Sequence, residues 1–294
     1  MSHTILVTGA TGTVGTEAVL ALANRGLTVR AGVHSLIKGD RFSHITSGVQ
    51  LVEMDFHKPA TLRVALTGVG RVFMITPVTD DQVAISKQFI DIAKEAGVRQ
   101  IVRLSVAGAD AEPGIQFGRW HREVEKYLEQ SGLAYCILRP GGFMQNFAEQ
   151  YGHSIRHEGK FYLPLGDSKV AYIDVRDIAA VAATILTADI NQHHGQAYTL
   201  TGPAAVSGQE VAQAISKACG RAVEYVDVPE AAARQAMAQQ LPPWLTNALL
   251  ELHAISRAGY AAHTTSTVQE LTGHAPHTIE QFAHDNQHCF LPAS

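Results

Sequence analysis

Three glycines near the start of the chain, Gly9, Gly12 and Gly15, have a spacing that suits the binding of phosphate groups. They follow a short β-branched and apolar run and precede a helical pattern. A glycine-rich turn between a strand and a helix lets backbone N–H groups approach a pyrophosphate, and the positive end of the helix dipole favours that anion. We assign Gly9 to the tight turn, Gly12 to the close approach of the ligand and Gly15 to helix packing. The predicted phosphate-binding residues are Gly9, Thr11, Gly12, Thr13, Val14 and Gly15.

Alternating strands and helices must position this loop. Short runs rich in Val, Ile and Leu predict strands at 4–8, 28–33, 50–54, 71–75, 100–104 and 134–138. Helical patterns lie between them near 14–25, 59–67, 80–96 and 118–131. This alternation predicts an α/β fold, a Rossmann-type doubly wound parallel sheet whose strands are covered by helices on both faces.

The second half of the chain is broken more often by proline and glycine, and we predict two regions. Residues 1–150 form the dinucleotide-binding domain, and 151–294 form a mixed region. About 170–200 partly completes the sheet, through 171–174, a helix at 175–187 and a strand at 197–200. Ser207 and Glu210 have the spacing of a capping box for a helix at 208–219. Helices near 230–240, 243–255 and 278–288 are predicted to form a substrate or lid subdomain.

Composition restricts the function classes. With 46% hydrophobic and 17% charged residues, the 294-residue chain can bury a large core. A formal net charge of −4, without any Lys/Arg run, argues against nucleic-acid binding. The longest apolar run is too short to span a bilayer, and a strand that begins near residue 4 leaves no room for a signal peptide. The three cysteines are far apart, and His284 and His288 have no completing ligands, so we predict no metal and a cytoplasmic location.

Several further segments occur in the order found in a known superfamily. The chain resembles the extended and atypical short-chain dehydrogenases/reductases, and within them the NmrA-like group. That group includes NAD(P)H:quinone oxidoreductases, triphenylmethane-dye reductases and catalytically silent redox sensors. The resemblance rests on the Gly-x-x-Gly-x-x-Gly loop and on Val29–His34, Val52–Asp55, Leu104–Gly108, Ser131–Asn146 and Tyr172–Asp177.

The resemblance implies a nicotinamide dinucleotide as cofactor. An acid at the end of the second strand would repel a 2′-phosphate, but this chain has His34, with Lys38 and Arg41 nearby. We therefore expect NADPH to be preferred, with NADH as the alternative; the basic residues could also form a merely solvated loop. By position in the family, Asp55 and Phe56 cradle adenine, and Thr76 and Pro77 line the pyrophosphate and ribose. Pro140, Gly141 and Phe143 flank the nicotinamide.

The catalytic pair typical of the superfamily is missing. Its members use Ser with Tyr-x-x-x-Lys, in which the tyrosine hydroxyl moves a proton. Ser105 occupies the serine position, but Phe117 and His121 replace the Tyr and the Lys, and none of the eight tyrosines has Lys four residues on. Conjugated acceptors depend less on such a pair, because hydride addition gives a stabilised product. Ser105 and His121 are the catalytic candidates; His121 could orient the ribose, protonate a product near neutral pH, or serve only as a partnered helix residue.

Aromatic and polar residues after the sixth strand predict the substrate site. They could make a flat apolar pocket, with two polar groups that fix orientation, or they could fill a core. The resulting hypothesis is an NAD(P)H-dependent reductase of quinone-like or other conjugated small molecules, as a monomer or homodimer. A non-enzymatic redox sensor, which would contact nucleic acid only if regulatory, is the alternative, and a sugar-nucleotide epimerase is disfavoured. The predicted substrate residues are Phe143, Met144, Gln145, Asn146, Phe147, Tyr151 and Trp244.

Overall fold

The computed structural model describes residues 4–37, 42 and 48–292 of the chain. Each predicted strand of the first half is present, with ends displaced by at most two residues. The strands in the described part are β1 (Thr4–Val7), β2 (Val29–Val33), β3 (Val49–Glu53), β4 (Val69–Met74), β5 (Gln100–Leu104), β6 (Ala134–Pro140), β7 (Lys160–Leu163), β8 (Lys169–Val170), β9 (Gln196–Leu200), β10 (Val206–Ser207) and β11 (Glu224–Asp227).

The helices of the first half also lie where the patterns predict them. A 3₁₀ turn at Gln287–Cys289 follows the last helix. The helices in the described part are α1 (Thr13–Ala23), α2 (Pro59–Leu66), α3 (Gln82–Glu95), α4 (Gln116–Gln130), α5 (Asn146–Glu149), α6 (Gly152–Glu158), α7 (Val175–Thr187), α8 (Ile190–His193), α9 (Gly208–Cys219), α10 (Glu230–Ala238), α11 (Pro243–Arg257), α12 (Thr267–Thr272) and α13 (Ile279–Asp285).

Seven strands form the central sheet, in the order β3-β2-β1-β4-β5-β6-β9. The pairings from β3 through β6 are parallel, which confirms the predicted doubly wound α/β fold. On one face of the sheet, Leu6, Val72 and Ile101 are fully buried in a cluster with apolar residues of α2, α3 and α4. The strand order reverses between β1 and β4, and ligands of such sheets bind outside the carboxyl ends of the strands at this point.

The chain folds as two compact units. The first consists of Met1–Pro140 and Val175–Thr199, and the second of Gly141–Asp174 and Leu200–Ser294. Compared with the predicted division at residue 150, the first ten residues after Pro140 belong to the second unit, while α7 and most of β9 belong to the first. The chain therefore leaves the first unit after β6 and returns to it for the α7–β9 stretch.

The second unit has its own core and two small sheets. β8 pairs with β10 in antiparallel fashion, and β7 pairs with β11 in parallel. The predicted capping box at the start of α9 is confirmed: Ser207 Oγ accepts from Glu210 N, and Glu210 Oε2 accepts from Ser207 N. Within the described residues, no helix is both long and apolar enough to cross a membrane.

The predicted addition of 171–174 to the central sheet is wrong. Within this segment Ala171 N donates to Ala261 O at 2.8 Å, and Ile173 N donates to Gly142 O at 2.8 Å. Ile173 forms only an isolated bridge with Phe143. Because these N–H groups are satisfied inside the second unit, they do not contribute to a ladder of the central sheet.

Candidate active site

The glycine loop after β1 has the geometry of a backbone cradle. Gly9 has φ +57°, a left-handed conformation that glycine adopts without strain. Gly12 N donates to Gly9 O at 2.9 Å, which closes the turn. A Cβ on Gly15 would lie 2.1 Å from Gly9 O, so helix α1 reaches the loop only because this residue lacks a side chain. The geometry thus supports the turn assigned to Gly9 and the helix packing assigned to Gly15, while the ligand approach assigned to Gly12 stays a prediction.

Helix α1 begins beside this cradle with a terminus that suits an anion. Its N-cap is Gly12, no side chain caps it, and its first turn has no acidic residue. Gly9 and Gly12 are exposed, whereas the Val14 side chain is buried at 4% exposure and offers the ligand only its backbone. Thr11 and Thr13 are partly exposed and make contacts of their own. The residues present fit a dinucleotide pyrophosphate, held by backbone N–H groups and the helix dipole.

The loop after β4 is joined to the start of the glycine loop by two hydrogen bonds. Thr8 Oγ1 donates to Ile75 O at 2.8 Å and accepts from Ile75 N at 2.7 Å. Thr76 Oγ1 lies 3.1 Å from Ser86 Oγ of α3, and Pro77 is exposed. The carboxyl ends of β1 and β4 thus form one rigid edge, which places Thr76 and Pro77 beside the cradle at the reversal of strand order.

At the ends of β2 and β3, the predicted ribose and adenine residues meet a cluster of charges. His34 has a 75% exposed side chain, and its Nε2 lies 3.8 Å from Asp55 Oδ2. Asp55 also pairs with Lys58 at 3.4 Å and with His57 at 3.4 Å. A hydrogen bond from the backbone N–H of His57 is the main cause that holds the pKa of Asp55 below its usual value. An acid therefore does lie near His34, supplied by the neighbouring strand.

Phe56 contributes less than expected at this end. Phe56 is 7% exposed, and its ring packs 5.3 Å from that of Phe89 in the core, so only its backbone faces outward. Lys38, the predicted partner of a 2′-phosphate, lies outside the described residues, as does Arg41. His34 is thus the described candidate for contact with a 2′-phosphate, and the nearby carboxylate of Asp55 opposes that contact.

Ser105, at the end of β5, is part of a buried ionic network. The serine is 3% exposed, and its hydroxyl donates to Glu125 Oε1 at 2.6 Å. Arg139 of β6 binds both oxygens of the fully buried Glu125, at 3.0 and 2.7 Å, and also pairs with Asp110. Arg122 adds a third cationic contact to Glu125 at 3.1 Å. The serine hydroxyl is thus oriented toward a structural carboxylate.

The charge on Glu125 follows from these partners. Burial by itself would raise the pKa of this carboxyl, but hydrogen bonds from Arg139 and Ser105 outweigh it and hold the pKa below its usual value. Glu125 is therefore ionised at neutral pH and keeps accepting from Ser105. The catalytic assignment of Ser105 remains a prediction, and it would require this short bond to break.

His121, on α4, is held as a neutral imidazole. Its Nδ1 lies 3.1 Å from Nη1 of Arg103, which is 1% exposed. Desolvation by burial, and then the charge of Arg103, lower the pKa of His121 well below the ordinary value of 6.5. The expectation that His121 protonates a product near neutral pH is therefore wrong, because the ring carries no extra proton there. A ring of this kind can still donate a hydrogen bond, so its cofactor-orienting assignment remains a prediction.

The predicted nicotinamide residues lie at the boundary of the two units along the chain. Pro140 ends the first unit, and Gly141 and Phe143 begin the second. Gly141 N donates to Leu200 O at 2.9 Å, and a Cβ on Gly141 would come 2.8 Å from Ala171 O. Gly141 is therefore needed for close backbone packing within the second unit.

The predicted substrate residues divide into core and surface groups. Met144 and Phe147 are 2% and 1% exposed and belong to the core of the second unit. Their side chains therefore do not line a pocket, which corrects the prediction for these two. Gln145 Nε2 donates to the buried carboxylate of Asp174 at 2.9 Å. The remaining members, Phe143, Asn146, Tyr151 and Trp244, are partly exposed.

A separate cavity of about 440 Å³ lies within the second unit. None of the predicted substrate residues lines it. No group of three or more His, Cys, Asp or Glu residues in the described part of the chain could hold a metal ion. The cavity is lined by Pro164, Pro229, Glu230, Leu250, His253, Ala254, Arg257 and Ala258.

Sequence reasoning missed the ionic partners beneath the site. Arg103 stands in the apolar strand run at 100–104, where a buried cation is unusual and demands a partner, so this signal was available. Glu125 lies one helical turn beyond His121, but nothing in the spacing shows that it accepts from Ser105. Asp174, fully buried and bonded to Gln145, gave no separate signal.

Comparison with known proteins agrees with this geometry. A model of the NmrA-like family matches residues 1–283. An NAD(P)H azoreductase from Xenophilus azovorans is 42% identical over 280 residues, which cover 95% of this chain and 96% of the azoreductase. A (4-alkanoyl-5-oxo-2,5-dihydrofuran-3-yl)methyl phosphate reductase from Streptomyces griseus is 33% identical over 292 residues, covering 98% of this chain and 99% of that protein.

A solved structure shares the architecture. It is the crystal structure of an NADPH-dependent quinone oxidoreductase from Escherichia coli complexed with NADPH, with a TM-score of 0.83 and 28% sequence identity. The match covers 96% of this chain and 99% of that one. The resemblance inferred from the motifs is thereby confirmed over nearly the full length of the chain.

Proposed function

The chain belongs to the NmrA-like family, and on that premise we propose that it is an NAD(P)H-dependent reductase of quinone-like or other conjugated small molecules. NADPH is the preferred cofactor and NADH the alternative. The observation that carries the proposal is the exposed glycine cradle at the uncapped start of α1, in a chain 42% identical to a protein named NAD(P)H azoreductase. When bound, the nicotinamide supplies the hydride.

The protein's own residues bind and orient in this proposal. The backbone N–H groups around Gly12 hold the pyrophosphate, and His34 lies where it can contact the adenosine ribose or its 2′-phosphate. His121 offers one hydrogen-bond donor from a neutral ring. With Ser105 bonded to Glu125, neither predicted catalytic side chain is an acid poised near neutral pH.

This lack of an acid favours a conjugated acceptor. Reduction of a simple carbonyl to an alcohol needs a proton at oxygen during the reaction, and losing a positioned general acid costs roughly 10²–10⁴ in rate. A quinone instead gives a delocalised phenolate, which water can protonate afterwards. Extended dye cations become neutral on hydride addition and need no proton at all. Among the partly exposed residues of the second unit, Phe143, Tyr151 and Trp244 are the proposed contacts to such flat molecules.

Steady-state oxidation of NADPH by the full chain tests the proposal. The acceptors are a panel of quinones, one triphenylmethane dye and one azo dye, each run with NADPH and with NADH. The control is Gly12→Val, whose branched side chain would occupy the place of the phosphate and abolish cofactor binding. We expect turnover with at least one acceptor, abolished in the control. Normal NADPH binding in the control would show that the loop has been misinterpreted.

A catalytically silent redox sensor is the second candidate. The missing Tyr-x-x-x-Lys pair and the bonded state of Ser105 favour it, because binding of NADP(H) alone requires neither. Tight NADPH binding, measured by fluorescence, together with no oxidation by any acceptor would support the sensor and contradict the reductase. A small-molecule partner, a monomeric or homodimeric state and a cytoplasmic location complete the proposal; light scattering checks the oligomeric state.

A further inference from the structure

Arg103 and His121 form a buried contact beside the two predicted catalytic side chains. Arg103 lies on β5 with 1% of its surface exposed. Its Nη1 donates to Leu104 O at 3.0 Å and lies 3.1 Å from His121 Nδ1. Nη1 carries two hydrogens, so one is directed to the carbonyl and the other to the imidazole.

The direction of this hydrogen bond fixes the state of the ring. A guanidinium has five N–H donors and no acceptor, so His121 Nδ1 must be the acceptor and carries no proton. The single proton of the neutral ring is therefore on Nε2. A doubly protonated ring would set an N–H of His121 against an N–H of Arg103 and place two cations in contact.

The surrounding charges reinforce this arrangement. The nearby carboxylate, Glu125 on α4, is occupied by Arg139 from β6, by Arg122 and by Ser105. Arg103 has no carboxylate within ion-pair distance in the described part of the chain, and its Nε has no hydrogen-bond partner there.

Helix α3 contributes further charges near α4, and these have partners of their own. On α3, Lys87 pairs with Glu123 at 2.7 Å, and Asp91 accepts from the hydroxyl of Tyr127. Burial lowers the pKa of Arg103 to about 10, so the guanidinium is still charged at neutral pH. The charge of Glu125 acts on Arg103 as well and partly offsets the effect of burial on its pKa, but among the described residues no carboxylate lies within ion-pair distance of the guanidinium that faces His121.

We propose that Arg103 is a positioning residue that fixes His121 as a neutral, Nε2-protonated imidazole, whose partly exposed ring offers a donor to an acceptor atom of the bound cofactor or substrate. The role of His121 in turnover rests on the proposed reductase function. The tautomer of its ring, and the contact with Arg103 that fixes it, do not depend on turnover. His121 then acts as a hydrogen-bond donor of constant charge through the neutral pH range, and the rate shows no step from its titration there.

Nitrogen-15 NMR of the histidine side chains tests this in the full chain, with and without NADPH. In the wild type we expect His121 Nδ1 to be unprotonated and Nε2 to be protonated down to well below pH 6.5. Arg103→Gln keeps an amide donor but removes the charge, so the tautomer should persist while the pKa of His121 rises from its depressed value, with burial still holding it down in part. Arg103→Lys retains the charge and should restore the low pKa.

The pH profile of turnover supplies the second measurement. In Arg103→Gln, kcat should acquire a step at the new pKa of His121, which a purely structural loss would not produce. The matched control is Arg71→Gln, which removes another partly buried cation of the sheet, one that donates to Leu186 O and Ala188 O at 2.7 Å. It should lower stability without moving the resonance or the pKa of His121.

The outcomes separate this inference from the proposed function. A wild-type ring protonated on Nδ1, or a His121 pKa identical in Arg103→Gln and wild type, overturns the inference even if quinones are reduced. In the alternative outcome, the tautomer and the pKa shift are found as expected while the protein oxidises no NADPH with any acceptor. That result would overturn the reductase proposal and leave the positioning role of Arg103 supported.

Discussion

Two alanine substitutions in the glycine loop should separate folding from cofactor binding. In Gly15→Ala the new Cβ would lie 2.1 Å from Gly9 O, 2.8 Å from Gly9 C and 2.9 Å from Ala10 Cα. All three neighbours are backbone atoms, so no flexible side chain can turn away. Real Cβ contacts stay above 3.0 Å, and the helix and the loop must therefore separate by about 0.9 Å.

Gly12→Ala meets much less resistance within the protein. Its Cβ would lie 3.3 Å from Gly9 O, and no other atom of the described residues, its chain neighbours aside, lies within 4 Å. The residue also has an ordinary φ of −80°. In the proposed function the phosphate approaches this exposed turn, where the added methyl group would obstruct it. The same glycine-to-alanine substitution should therefore weaken cofactor binding at residue 12 and lower stability at residue 15.

The expected magnitudes follow from this contrast. Overpacking of this kind costs about 1–3 kcal/mol, and each kcal/mol lowers the melting temperature of a chain this large by roughly 2–4 °C. Gly15→Ala should therefore unfold several degrees below the wild type. Gly12→Ala should melt within about 1 °C of it but bind NADPH at least about tenfold more weakly, a loss of roughly 1.4 kcal/mol.

Differential scanning fluorimetry without cofactor and titration calorimetry with NADPH measure the two quantities. Lys126→Ala, on the exposed side of α4, is the control for the effect of mutation itself. Wild-type affinity in Gly12→Ala would refute the assignment of the loop to the pyrophosphate. An unchanged melting temperature in Gly15→Ala would refute the packing argument.

Four further predictions concern the charged groups. Glu125→Gln should lower the free energy of unfolding by up to about 3–5 kcal/mol because the buried Arg139 loses its two-point carboxylate partner and keeps only the more exposed Asp110. In the wild type this stabilisation is lost as pH falls through the depressed pKa of Glu125, and denaturant titrations at several pH values would show both effects. Ser105→Ala should cost about 1.5–3 kcal/mol in the same titration, since its hydroxyl donates to a buried carboxylate; unchanged stability would contradict the network. The wild type should lose about 1.4 kcal/mol per pH unit relative to His121→Gln below about pH 6.5, because only the unfolded chain takes up that proton; parallel stability curves would exclude this. Lys38→Glu should reverse a roughly ten- to hundredfold preference for NADPH over NADH, measured as dissociation constants, and equal constants in the wild type would remove the 2′-phosphate assignment.

Local sequence patterns were sufficient to predict the strands, turns and helices that position the candidate site. A strand, a glycine turn and a helix are contiguous in sequence, so the spacing of the glycines was enough to predict the turn at Gly9 and the close helix packing at Gly15. The capping box of Ser207 and Glu210 was predictable for the same reason, because its four residues contact one another. Segment 171–174 was mispredicted because its apolar pattern is compatible with several strand partners, and only folding decides which N–H groups find which carbonyls.

The sequence by itself determined the α/β sheet, the glycine turn between β1 and α1 and the absence of the Tyr-x-x-x-Lys pair. Only the tertiary structure decided the state of the groups that remain. His121 is neutral because burial desolvates its ring and because Arg103, eighteen positions earlier, lies against its Nδ1. Ser105 is bonded because Glu125, itself held by Arg139, accepts from its hydroxyl. Protonation and hydrogen bonding depend on which side chains share a buried space, and residue types along the chain do not specify that arrangement.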